Sequence, residues 1–95
     1  MKTKNLKESV LQRRIIKSLE DSGYFVLKLI QTNKNGIPDL VIFKEGRVVF
    51  LEVKRETGKA QALQLYRINQ LKEFKIEAYI IYGWDEFIQL KNNIL

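Results

Sequence analysis

The chain has 95 residues, enough for one compact domain spanning 1–95 and too few for a second core. It contains no histidine and no cysteine, which excludes serine–histidine triads, thiol nucleophiles, zinc sites, haem attachment and disulfides, and leaves carboxylates, lysines and tyrosines for any catalysis. Seventeen Lys and Arg against eleven Asp and Glu leave a formal charge of +6, a field that favours a polyanion, with nucleic acid as the obvious partner.

No segment reaches the roughly 18–20 apolar residues of a membrane span, and Met1-Lys2-Thr3-Lys4-Asn5 is followed by no uninterrupted apolar region. A cytoplasmic, unprocessed chain with no membrane partner is the expectation. From Leu6 to Glu20, the residues Leu6, Val10, Leu11, Ile15, Ile16 and Leu19 recur at three- and four-residue steps, which predicts an amphipathic helix. Asn5 suits its start and Gly23 its C-terminal cap. Tyr24 to Ile30 reads as a strand and is followed by a polar loop from Gln31 to Gly36.

Asp39 to Phe43 and Arg47 to Val53 are β-rich runs separated by Lys44-Glu45-Gly46, the pattern of a hairpin. Lys59 to Phe74 carries a loosely helical stripe, Ala78 to Tyr82 a short buried strand, and Trp84 to Lys91 a terminal helix with Asp85 and Glu86 in its first turn. The order α-β-β-β-α-β-α predicts a mixed four-stranded sheet flanked by helices, its last two strands parallel through a right-handed crossover.

A hairpin turning on Glu45 and Gly46 pairs Lys44 with Arg47 and Phe43 with Val48, so that Asp39 falls opposite Glu52. Strand alternation sends Lys54 to the same face as Glu52. Two adjacent carboxylates share a proton, pair with cations or hold a divalent metal, and an all-oxygen site suits magnesium or manganese. Turn chemistry at Asp39 and a salt-bridged Glu52–Lys54 face is the purely structural alternative.

Gly36-Ile37-Pro38-Asp39 followed by Glu52-Val53-Lys54 on the next strand resembles the PD-(D/E)xK nuclease signature. The chain as a whole resembles a stand-alone virus-type replication-repair nuclease (VRR-NUC) domain, with Glu8 on the first helix and Gly58-Lys59 followed by Gln64 as further matches. A family-like proline or serine near Ala62 is missing, and among Gln61, Gln64 and Gln70 the spacing from Lys59 favours Gln64. The resemblance implies a restriction-endonuclease-like αβββαβ core with an extra C-terminal helix. It also implies an Mg²⁺- or Mn²⁺-dependent endonuclease with Asp39 and Glu52 as metal ligands, the Val53 carbonyl completing the set, and Lys54 positioning the attacking water. Glu8 would act through a metal water or as an outer ligand, and Gln64 would orient water or a phosphate.

Lys2, Lys4, Lys7, Arg13, Arg14 and Lys17 bias the first helix and its approach towards phosphate, whereas residues 60–95 carry four basic and four acidic side chains. Lys34, Arg55 and Lys59 flank the carboxylates in sequence and suit the strand entering the centre. No helix carries recognisable base-reading chemistry, so structure-selective cutting is expected in preference to sequence-selective cutting. The aromatic residues fall mostly within apolar periodicity and are assigned to the core. By resemblance, the expected partner is branched DNA such as a Holliday junction in repair or recombination. The expected assembly is a homodimer joined through helix one or Trp84 to Leu95, and a phage source would place it in the host cytoplasm. A non-catalytic nucleic-acid-binding module on the same fold is the alternative function.

Overall fold

The computed structural model describes residues 6–95. Its elements run α1 (Glu8–Asp21), β1 (Phe25–Lys28), β2 (Leu40–Lys44), β3 (Arg47–Lys54), α2 (Ala62–Glu73), β4 (Glu77–Tyr82) and α3 (Gly83–Asn93). They form a four-stranded sheet in the order β1-β2-β3-β4, antiparallel except for the parallel β3–β4 pair. The predicted mixed sheet and element order are therefore observed.

The boundaries differ in ways that local chemistry explains. α1 starts at Glu8 after an extended Lys7, and the anticipated cap Asn5 lies outside the described residues, as do Lys2 and Lys4. Gly23 follows the helix at a φ of +90°, the left-handed geometry that ends helices. β1 is shorter than Tyr24 to Ile30 because it is an edge strand paired on one side alone, with β2 from Phe25 to Lys28. α2 begins at Ala62 rather than Lys59, after a turn in which the Gly58 N–H donates to the Arg55 carbonyl oxygen at 2.8 Å.

The hairpin turns on Glu45 and Gly46 with φ of +51° and +81°, the two left-handed residues of a tight type I′ connection. Lys44 consequently pairs with Arg47, and Leu40 with Leu51. Along β3, Val49, Leu51 and Val53 turn to one face and join Leu11, Ile15 and Leu19 of α1 and Phe87 and Leu90 of α3 in the main core. Glu52 and Lys54 alternate with them and point to the opposite face, on the side where α2 packs along β4.

α2 contributes only Ile68 as a fully buried residue. The assignment of the aromatic residues to the core therefore fails at three positions: Phe25, Tyr66 and Phe74 are 63%, 56% and 73% exposed. Phe25 stands on the edge strand β1, Tyr66 on the exposed side of α2 and Phe74 at its C-terminal cap, positions that no second layer covers.

Candidate active site

Gly36-Ile37-Pro38-Asp39 links the polar loop to β2. Gly36 has a φ of +81°, and a β-carbon there would lie 2.6 Å from Leu63 Cγ on α2. The glycine thus permits both the turn and the close approach of the loop to α2. Arg67 of α2 seals the same contact by donating to the Asn35 carbonyl oxygen at 2.8 Å. Pro38 is buried and carries the chain into Asp39, whose carbonyl oxygen accepts the Leu29 N–H at 2.7 Å.

The Asp39 carboxylate accepts the Val53 main-chain N–H at 2.9 Å. This bond sets Asp39 against β3 between Glu52 and Lys54, as the hairpin register requires. Glu52 is 2% exposed. Its Oε2 accepts the Gln64 amide at 3.1 Å and faces Lys54 Nζ at 3.5 Å. Its Oε1 is enclosed and has no donor. Burial first, then the charge of Asp39, push the Glu52 carboxyl up to about 7, against the opposing pull of Lys54.

Gln64 is held at both ends of its amide: its oxygen accepts the Gln61 main-chain N–H at 2.9 Å while its nitrogen serves Glu52. It stands at the third position of α2, so the reach back to the residue before the helix is half of a capping box. Glu8, at the start of α1, accepts the Arg55 main-chain N–H at 3.4 Å and thereby stands next to the end of β3. Among the described residues no group of three or more carboxylates converges, so Glu8 does not join Asp39 and Glu52 in one cluster.

The structure therefore brings Asp39, Glu52, Val53, Lys54 and Gln64 together, with Glu8 at the margin. Two carboxylates and main-chain oxygen suit a hard cation that keeps most of its water, as magnesium does. The donor-free Glu52 Oε1 fits such an ion, since an anionic oxygen without a donor is stabilised by a positive charge. Sequence reasoning missed the main-chain N–H groups of Val53, Arg55 and Gln61, which fix three of the site's side chains and leave no mark in a side-chain pattern.

The cationic residues divide. Arg13 lines a cavity between α1 and β1, whereas Arg14 and Lys17 line a groove between α1 and α3. Lys17 also pairs with Asp21 at 3.1 Å. Lys34 sits in the loop before Gly36, where its carbonyl oxygen accepts the Thr32 hydroxyl at 2.6 Å. Lys7, Arg55 and Lys59 are exposed at the chain segments that enter α1 and leave β3.

The VRR-NUC domain family model matches residues 1–85. A solved structure described as a VRR-NUC domain superposes with a TM-score of 0.85 at 24% identity, covering 99% of this chain and 100% of that one. At that identity the likeness establishes the fold. No curated protein matches the chain.

Proposed function

Because the chain belongs to the VRR-NUC domain family, a nuclease-type, DNA-processing family, we propose that it is a metal-dependent, structure-selective DNA endonuclease. The observation that carries this reading is the enclosed, donor-free Glu52 Oε1 beside Asp39 and Lys54. Asp39 and Glu52 would hold Mg²⁺ or Mn²⁺ with the Val53 carbonyl. When bound, such an ion would supply Lewis-acid polarisation of a phosphoryl oxygen and a more acidic water. Lys54 places an ammonium against the developing negative charge, and Gln64, by donating to Glu52, holds that carboxylate in one rotamer. Glu8 would act from the margin of the site, through a water between it and the ion.

Branched DNA such as a four-way junction is the proposed substrate, cut to 5′-phosphate and 3′-hydroxyl ends in repair, recombination or replication. The basic residues on α1 and in the flanking loops grip phosphate without reading bases. We further propose a homodimer. Exposed apolar side chains on β1 and the loop that follows it (Phe25, Leu27, Ile30), around α2 (Leu63, Leu65, Tyr66, Phe74) and at Ile94, within the Trp84 to Leu95 segment, offer the surface for that contact. Cytoplasmic residence is part of the same reading. No helix among the described residues is long and apolar enough to cross a membrane.

Four-way junction, flap, duplex and single-stranded DNA, each incubated with Mg²⁺, Mn²⁺ or EDTA, test the proposal. Metal-dependent cutting that favours branched substrates and disappears in Asp39→Ala and Glu52→Ala is the expected result. Tight binding with no cutting in either metal would establish the non-catalytic binding module instead.

A further inference from the structure

A cavity of about 440 Å³ opens between α1 and the edge strand β1, lined by Ser9, Gln12, Arg13, Ile16 and Lys28. That volume lies within the range of small-ligand sites. The cavity lies on the α1 face of the sheet, opposite the face that carries Glu52 and Lys54, and its two walls reach the same end of the sheet as those residues. Ser9 follows Glu8, which accepts the Arg55 N–H. Lys28 pairs with Leu40, the neighbour of Asp39, and the next residue, Leu29, donates its N–H to the Asp39 carbonyl oxygen.

Gln12 is the unusual member. It is 8% exposed, on the buried side of α1 beside Leu11 and Ile15, where an apolar residue would serve packing better. Among the described residues its amide makes no hydrogen bond. Glu52 Oε1 is the one fully enclosed side-chain polar atom there that lacks a partner, so the Gln12 amide is reached from the cavity. The amide therefore exchanges hydrogen bonds with solvent in the open cavity, and a ligand that occupies the cavity has to replace them with a donor and an acceptor of its own.

The lining specifies the ligand's chemistry. Arg13 and Lys28 have no carboxylate partner among the described residues and present two cations to an acceptor-only group such as a phosphate. The Gln12 amide offers one donor edge and one acceptor edge, both of which the mixed edge of a nucleobase can use, whereas a phosphate would use the donor alone. Ile16 supplies an apolar wall.

We propose that this cavity holds one unpaired nucleotide of the DNA strand adjoining the cut, with its phosphate on Arg13 and Lys28 and its base edge on Gln12. The inference rests on the reading of the neighbouring site as a DNA nuclease. It also gives that reading a source of selectivity for flaps and other branches that leave a base unpaired, in preference to a fully paired four-way junction. A stacked, paired base cannot enter the cavity without unpairing, and the cost of extrusion is smallest where a branch has already freed the base.

The test measures binding in EDTA, so it does not depend on cleavage. Fluorescence anisotropy is recorded on a flap DNA whose unpaired and junction nucleotides are replaced one at a time by abasic residues. Wild type is expected to lose about tenfold in affinity at one abasic position, the scale of a satisfied polar contact. Gln12→Leu should lose about tenfold on intact DNA and show no further loss at that position, while melting at or above the wild-type temperature. Lys28→Gln should weaken every substrate, keep the abasic effect and shallow the salt dependence by about one phosphate contact. Gln12→Glu, which keeps the shape and loses the amide's N–H donors, serves if Gln12→Leu does not fold, and it too should weaken intact DNA and show no further loss at the abasic position. Wild-type affinity for intact DNA in the Gln12 variants, or an abasic effect that persists in them, overturns the inference. Absence of cleavage with the coupled binding losses present would remove the nuclease reading and leave the nucleotide site standing.

Discussion

The carboxylate of Asp39, one residue before β2, accepts the main-chain N–H of Val53 at the far end of β3. That bond joins a loop residue to the strand segment flanked by Glu52 and Lys54, so the geometry of the site is set by a backbone donor as well as by side chains. Asp39→Asn retains an acceptor for this N–H and loses the negative charge. We expect cleavage to fall by at least about 10²–10³, the scale of losing one electrostatic element of an active site, while stability changes by less than about 1 kcal/mol. Steady-state cleavage and thermal melting on the same preparation separate the two effects.

Glu52 illustrates a conflict between stability and chemistry. An acid whose folded-state pKa is raised favours folding while protonated, and this contribution is lost as pH climbs from the ordinary 4.5 towards 7. Metal-free Glu52→Gln, which carries no charge to bury beside Asp39, should therefore melt higher than wild type at pH 8 by about 1–2 kcal/mol, and the gap should close near pH 5. Added Mg²⁺ should raise the melting temperature of wild type and leave that of the variant unchanged. A variant less stable than wild type at pH 8 would mean that Glu52 is comfortably paired after all.

Gln64 serves two partners at once, the Gln61 N–H through its oxygen and Glu52 through its nitrogen. Gln64→Glu keeps the first contact and replaces the second by repulsion. It should hold helix stability within about 0.5 kcal/mol while lowering cleavage about tenfold or more. Gln64→Ala loses both contacts and should show a further cost of roughly 0.5–1 kcal/mol in urea unfolding.

Gly36 is constrained twice, by its φ of +81° and by Leu63. Gly36→Ala should destabilise the fold by about 1–3 kcal/mol, since the added β-carbon meets Leu63 Cγ and backbone in a left-handed conformation. Because the same loop delivers Asp39, residual folded protein should also cleave more slowly. Chemical denaturation with activity measured below the transition checks both.

The far end of the sheet carries a separate pH response. Arg47 grips Glu77 through two 2.6 Å bonds, and Tyr79 donates to the same carboxylate at 3.0 Å. The guanidinium bond holds the Glu77 carboxyl below its ordinary value. An acid shifted this way stabilises the fold above its unfolded pKa, and the contribution is lost as pH falls through the folded one. The pair is about one-third exposed, which limits it to about 0.5–1 kcal/mol. Melting curves between pH 6 and pH 3 should fall more steeply for wild type than for Glu77→Gln, with cleavage at pH 8 alike in both.

The placement of the candidate site's side chains was largely legible in the sequence, because a hairpin register is simple arithmetic. Once Glu45 and Gly46 take the turn, pairing by count puts Asp39 opposite Glu52, and the period of two puts Lys54 beside it. Composition and spacing likewise determined the element order, the parallel last pair and the absence of histidine or cysteine chemistry. Tertiary packing alone decided what no local period encodes: that Glu52 is sealed while Lys54 and Gln64 reach it, that main-chain N–H groups hold Asp39, Glu8 and Gln64, and that Gln12 faces a cavity. The same holds for Phe25, Tyr66 and Phe74, which carry the apolar signature of a core and stand in solvent. Periodicity reports which side of an element is apolar; whether a second layer is wide enough to cover that side depends on residues far away in the chain.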